Sequence, residues 1–131
     1  MAKRRFRRAT ERFISELESR NYSPHTVGAY RRDLDRFCRF LAELTHEEDP
    51  PLSGFDSASV RRYLAWMVAS RYARRSIPRA LAAIRALARD LKRRRTIRTD
   101  PTLGLTAPRP ERRLPSFLTR RETDRLFSRP A

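Results

Sequence analysis

The chain has 131 residues, with 31 lysines and arginines against 15 aspartates and glutamates, for a net charge of +16. That length suits one compact domain with a modest core plus an arm or linker, and the charge points to a polyanionic partner, DNA or RNA first, while saying little about fold. No apolar run approaches the ~20 residues of a membrane span, the opening MAKRRFRR lacks the apolar stretch of a signal peptide, and a single cysteine excludes an internal disulfide and leaves no Cys/His cluster for zinc.

The first predicted helix runs from about Phe6 to Arg20, with Phe6, Phe13, Ile14 and Leu17 on its apolar face. Asn21 and Ser23-Pro24 break it. Ser23 is a good N-cap, and Pro24 falls at the first helical position, where its missing N–H costs nothing. The second helix is the clearest. Val27, Tyr30, Leu34, Phe37, Leu41 and Leu44 recur at steps of three and four, and it should end before Pro50-Pro51. Cys38 sits beside this stripe and reads as a small buried filler rather than a reactive thiol. A third helix is expected from Asp56 or Ser57 to about Arg71, on a stripe of Val60, Leu64, Met67 and Val68. Ser76 reads as the N-cap of a fourth helix, whose core face is Ile77, Leu81, Ile84, Leu87 and Leu91. Its other side carries Ala82, Ala83 and Ala86 between Arg75, Arg79 and Arg89. Such small residues admit close approach by a neighbouring helix or by a DNA backbone. Tyr30 belongs to the core stripe, whereas Tyr22, Tyr63 and Tyr72 fall near helix ends or flanks.

Beyond Arg98 the texture changes to Pro101, Pro108, Pro110 and Pro115 with few large apolar residues, which predicts a semi-rigid linker. Thr119 and Glu122 then make a capping box for a short terminal helix. The expected organisation is a helical domain at 1–98 with a basic arm at 1–5, a proline-rich linker at 99–117, and the first turns of a second domain at 118–131. Only three glycines and no alternating apolar–polar run occur, so the fold class is all-α.

The basic residues are nearly all arginine, with lysine only at Lys3 and Lys92. Arginine forks suit phosphate and guanine. A GC-rich genome accounts for arginine over lysine, but not for the excess of charge. Residues 56–98 hold 13 basic residues against Asp56 and Asp90, and five more lie in the first eight positions. Acids gather instead at Glu43, Glu47, Glu48 and Asp49. The plain alternative is a solvated face. The charge asymmetry around two helix starts favours a phosphate-binding surface. No glycine-rich phosphate loop, metal-ligand spacing or nucleophile elbow occurs, so no catalytic, cofactor or metal residues are assigned.

Two stretches carry a resemblance. One is Asn21-Tyr22-Ser23-Pro24-His25-Thr26, then Tyr30, Asp33-Leu34, Phe37 and Phe40-Leu41. The other is Ser76-Ile77, Ala82-Ala83-Ile84-Arg85, Asp100-Pro101, Arg113-Leu114-Pro115 and Leu118-Thr119. In this order and spacing, over nearly the whole chain, they resemble the N-terminal core-binding domain of tyrosine site-specific recombinases, the XerC/XerD-like phage and chromosomal integrases.

The resemblance implies a four-helix, SAM-like bundle of two crossed helical hairpins that forms half of a C-shaped clamp on duplex DNA. The second and fourth helices then meet the major groove. It brings Ser23, His25 and Thr26 to DNA at one helix start, and Arg74, Arg75, Ser76 and Arg79 at the other. Arg75 and Arg79 are expected to make the closest groove contacts. Thr26 and Ser76 suit phosphate, with helix capping as the alternative for Ser76 and plain solvation for His25. Arg31, Arg32 and Arg85 are candidates for neutralising the DNA backbone. Family members cut DNA with a tyrosine, aided by arginines, a lysine and histidines of the C-terminal domain. This chain ends before those residues, so no tyrosine here is given the nucleophile role. The implied partners are double-stranded DNA and other recombinase subunits, in the cytoplasm, with no membrane and no small-molecule ligand. A protein–protein module that mediates recombinase assembly is the alternative. A small helix-turn-helix regulator is disfavoured by the long proline-rich segment.

Overall fold

The computed structural model describes residues 4–108. The terminal helix expected near Thr119, the last part of the linker and the first residues of the basic arm lie outside that range. Within it the chain is all-helical: α1 (Phe6–Ser19), α2 (Pro24–Thr45), a 3-10 turn (Leu52–Gly54), α3 (Ser57–Ala69) and α4 (Ser76–Arg93). The only β-type pairing among these residues is an isolated bridge between Arg5 and Pro51.

Local chemistry sets two of the four α-helix starts. The Ser23 side chain accepts the Thr26 N–H, and Pro24 occupies the first turn of α2. Asp56 caps α3 reciprocally: its carboxylate accepts the Ser59 N–H while the Ser59 hydroxyl accepts the Asp56 N–H. Ser76 is not the cap expected from sequence. Arg75 holds that position in helical backbone geometry, with no side-chain cap, and Ser76 is already the first residue of α4. The reason is the turn before it. The Ser76 N–H is taken by the Ala73 carbonyl at 2.9 Å, so the chain enters the helix already coiled.

The four helices each end near a left-handed residue, and none of these is glycine: Asn21, His46, Arg71 and Arg95 all have φ of 59–64°. At all four the next N–H reaches back to close the helix, Tyr22 to Leu17 O, Glu47 to Ala42 O, Tyr72 to Met67 O and Thr96 to Leu91 O.

The core is built around aromatic rings brought from different elements. Phe6 of α1, Phe37 of α2 and Phe55 ahead of α3 meet edge-on with centroids 5.5–5.7 Å apart, and Tyr63 of α3 lies 5.0 Å from Phe37. α4 closes the bundle with Ile77, Leu81, Ile84, Leu87 and Leu91, all buried. Cys38 is buried, and burial pushes its thiol up from the ordinary value, as suits a filler. The alanine side of α4 is mostly helix contact: Ala83 is buried, Ala86 is half-buried, and only Ala82 faces solvent. Two expectations for α3 are reversed. Tyr63 is fully buried rather than on a flank, while Val68 is exposed. The rings of Phe37 and Phe40 draw the Tyr63 face inward, and Val68 turns away from them.

The N-terminal segment is stitched to the loop after α2. The Phe6 N–H bonds Pro50 O, the Leu52 N–H bonds Arg4 O, and Arg5 reaches Glu47 and Asp49 O. The loop's acids thus absorb part of the arm's charge. At the other end, residues 100–107 fold back on the bundle. Thr102 is wholly buried, Ser57 donates to Pro101 O, and Arg85 donates to the carbonyls of Thr102 and Leu105.

Candidate nucleic-acid interface

The sequence-expected site residues fall into three groups. Ser23, His25 and Thr26 open α2. Ser23 and Thr26 also join through their hydroxyls at 3.0 Å, and His25 is exposed. The start of α2 keeps its dipole but has few donors to spare, since Pro24 has no N–H and those of Thr26 and Val27 are spent on Ser23. Arg74, Arg75, Ser76 and Arg79 surround the start of α4. Arg74 and Arg75 project from the turn, exposed and without an acidic partner among the described residues.

Arg79 is held. Its Nε–H points to Asp33 Oδ2 at 3.2 Å and its Nη2 lies 3.5 Å from Oδ1, while half of the side chain remains in solvent. Asp33 is almost fully buried in α2, so this pair fastens the first turn of α4 to the middle of α2. Arg36 Nη1 approaches the same carboxylate at 3.5 Å, and its guanidinium lies 5.1 Å over the Tyr72 ring in the α3–α4 turn. The two helix starts are therefore not side by side. Asp33 lies seven to ten residues into α2 from Ser23–Thr26, about 10–15 Å along the axis. Arg32, the residue before Asp33 on α2, is exposed.

The third group serves the fold. Arg31 pairs with Glu11 of α1 at 3.0 Å. Arg85 is half-buried and turned to the 100–107 segment rather than outward. Sequence reasoning gave Asp33 no role. Its signal was there: a carboxylate three residues after Tyr30 and four before Phe37 lies on the buried stripe, where an acid needs a partner. A second buried acid, Asp90, gathers Arg93 and Arg94, and Arg94 continues to Glu16 of α1 at 2.8 Å.

A family model for the phage integrase N-terminal SAM-like domain matches residues 10–95. The chain belongs to this family. The SAM-like domain is similar to a tyrosine recombinase XerC of Chlorobaculum tepidum, 40% identical over 121 residues, covering 88% of this chain and 35% of the relative. It is also similar to a XerC of Roseiflexus castenholzii, 32% identical over 129 residues (92% of this chain, 38% of the relative). A tyrosine recombinase XerD of Shewanella oneidensis is 34% identical over 119 residues (90% and 38%). The chain thus spans little more than a third of the length of these relatives, at their N-terminal part. No solved structure was found to match it. No helix among the described residues of the SAM-like domain is long and apolar enough to cross a membrane.

Proposed function

We propose that the face between the start of α2 and the start of α4 binds duplex DNA, as the core-binding part of a tyrosine recombinase acting in site-specific recombination, and that this chain does not itself cleave DNA. The observation that carries this reading is that Arg32, Arg74 and Arg75 are exposed with no acidic partner among the described residues, while Arg79 stays half in solvent over Asp33. Arg5, Arg20, Arg31 and Arg94 are instead consumed by acids elsewhere. Exposed arginines without an acidic partner, on a +16 chain, are suited to displacing counterions from phosphates. The kinship to XerC and XerD supports the same reading.

The test is fluorescence anisotropy of labelled duplex DNA across a salt series. A log–log slope of about −0.9 per phosphate contacted is expected. In an Arg75→Ala/Arg79→Ala variant the slope should flatten by about one to two units. Equal binding by both proteins would refute the site.

A second reading has its own observation. Trp66 and Val68 stand exposed on α3, and Trp66 continues into a tilted stack with Phe40 and Tyr72. Such a patch suits assembly with other recombinase subunits. A concentration-dependent oligomer in sedimentation velocity without DNA, lost in Trp66→Ser, would favour it.

A further inference from the structure

We propose that Asp33 is a positioning residue that turns the end-on edge of Arg79 outward to read a guanine. This rests on the DNA-binding reading above and adds which base chemistry the face selects and which residue enforces it.

A guanidinium has five N–H donors in a rigid fork. Asp33 meets Arg79 side-on, through Nε at 3.2 Å and Nη2 at 3.5 Å. The donors that remain are on Nη1 and the outer side of Nη2. They form the end-on edge, whose spacing matches the O6 and N7 acceptors of guanine in the major groove. The Arg79 side chain is half exposed while Asp33 is nearly fully buried, so the carboxylate lies beneath the guanidinium rather than in its path. Asp33 is itself kept from swinging. Arg36 approaches its Oδ1 at 3.5 Å and packs over Tyr72.

Charge separates a base edge from a phosphate as the target. Attraction to phosphate follows net charge, and Asp33 offsets part of that of Arg79. A base edge is neutral and rewards direction instead, which the carboxylate supplies. Burying an acid costs solvation, and an ion pair to a half-exposed arginine returns only part of that cost. Arg74 and Arg75, with no such anchor, would have to be ordered on binding and suit the backbone better.

The experiment selects duplexes from a random pool with the wild-type 131-residue chain, then repeats the selection with Asp33→Asn and with Arg79→Lys. The wild-type site is expected to contain a fixed guanine whose replacement by 7-deazaguanine, which lacks N7, weakens binding about tenfold. Asp33→Asn is expected to lose that preference while its binding to unrelated duplexes at low salt rises, because a negative charge has left the face. A merely structural role would weaken binding to all sequences alike. Arg79→Lys carries the charge without the rigid fork and should weaken the guanine preference. The 7-deazaguanine arm uses the wild-type protein, so it can still overturn the proposal if Asp33→Asn fails to fold. A wild-type site indifferent to 7-deazaguanine, or an unchanged guanine preference in Asp33→Asn or Arg79→Lys, overturns the proposal. A wild-type chain that binds no duplex overturns the DNA reading itself, and the proposal with it.

Discussion

Replacing Tyr63 with phenylalanine should stabilise the domain. The ring is fully buried against Phe37, Phe40 and Trp66, and its hydroxyl has no partner in good hydrogen-bond geometry, although Arg36 lies beside it. Arg36 is near enough to favour the ionised form, but burial outweighs it and pushes the phenol up to about 12. A hydroxyl taken from water without a partner costs about 1–3 kcal/mol in proteins. Phenylalanine keeps the ring contacts, and the small void it leaves returns part of that gain. A net stabilisation of about 1 kcal/mol is expected, which raises Tm by about 4–8 °C in a domain of this size. The pH dependence follows from the direction of the shift. A phenol raised in the folded state contributes stability that is fully present below its ordinary value of 10 and is lost as pH rises toward about 12. Tyr63→Phe removes that loss, so its advantage should widen above pH 10. Urea unfolding followed by circular dichroism, at neutral pH and again above pH 10, measures both effects. A variant less stable than wild type by more than about 0.5 kcal/mol, with no widening at high pH, would mean that the hydroxyl is satisfied, and the argument would fail.

Ser23→Ala should cost about 1 kcal/mol by removing the α2 cap, while Ser76→Ala should stay within about 0.5 kcal/mol because Ser76 caps nothing; denaturant melts separate the two. Arg85→Ala frees two carbonyls from their donor, so limited proteolysis at the exposed Leu103 should quicken several-fold with the helical content unchanged. Phe37→Ala opens a cavity where rings from α1, α2 and α3 meet. A loss of about 3–5 kcal/mol is expected, enough to leave much of the chain unfolded at 37 °C by circular dichroism.

What was legible in the sequence was what local chemistry decides. Ser23-Pro24 and Asp56 mark their helix starts because a cap acts within three residues, and the 3.6-residue stripe of α2 names most of its buried face. Ser76 misled because the same residue type can stand inside a helix already begun, and the Arg74-Arg75 turn that begins it carries no capping signature. α3 was ambiguous because Val60, Tyr63, Leu64, Trp66, Met67 and Val68 surround most of its circumference. Rings on α1 and α2 decide which side goes in. The arginines show the limit most clearly. Arg31, Arg79 and Arg85 look alike in sequence, yet their surroundings come from Glu11, Asp33 and the Thr102 and Leu105 carbonyls, 17 to 46 positions away. Asp33 was passed over for the same reason: its partner Arg79 lies on another helix.

The return of residues 100–107 onto the bundle takes length out of the linker expected from sequence. A free tether over residues 99–107 could extend by about 30 Å. With Thr102 buried and Arg85 gripping the carbonyls on either side of Gly104, that length is held against the bundle instead. Anything joined beyond it would be confined to a smaller volume and held at a higher local concentration near the bundle. The exit point is also fixed in direction, because it is anchored to α3 through Ser57 and to α4 through Arg85.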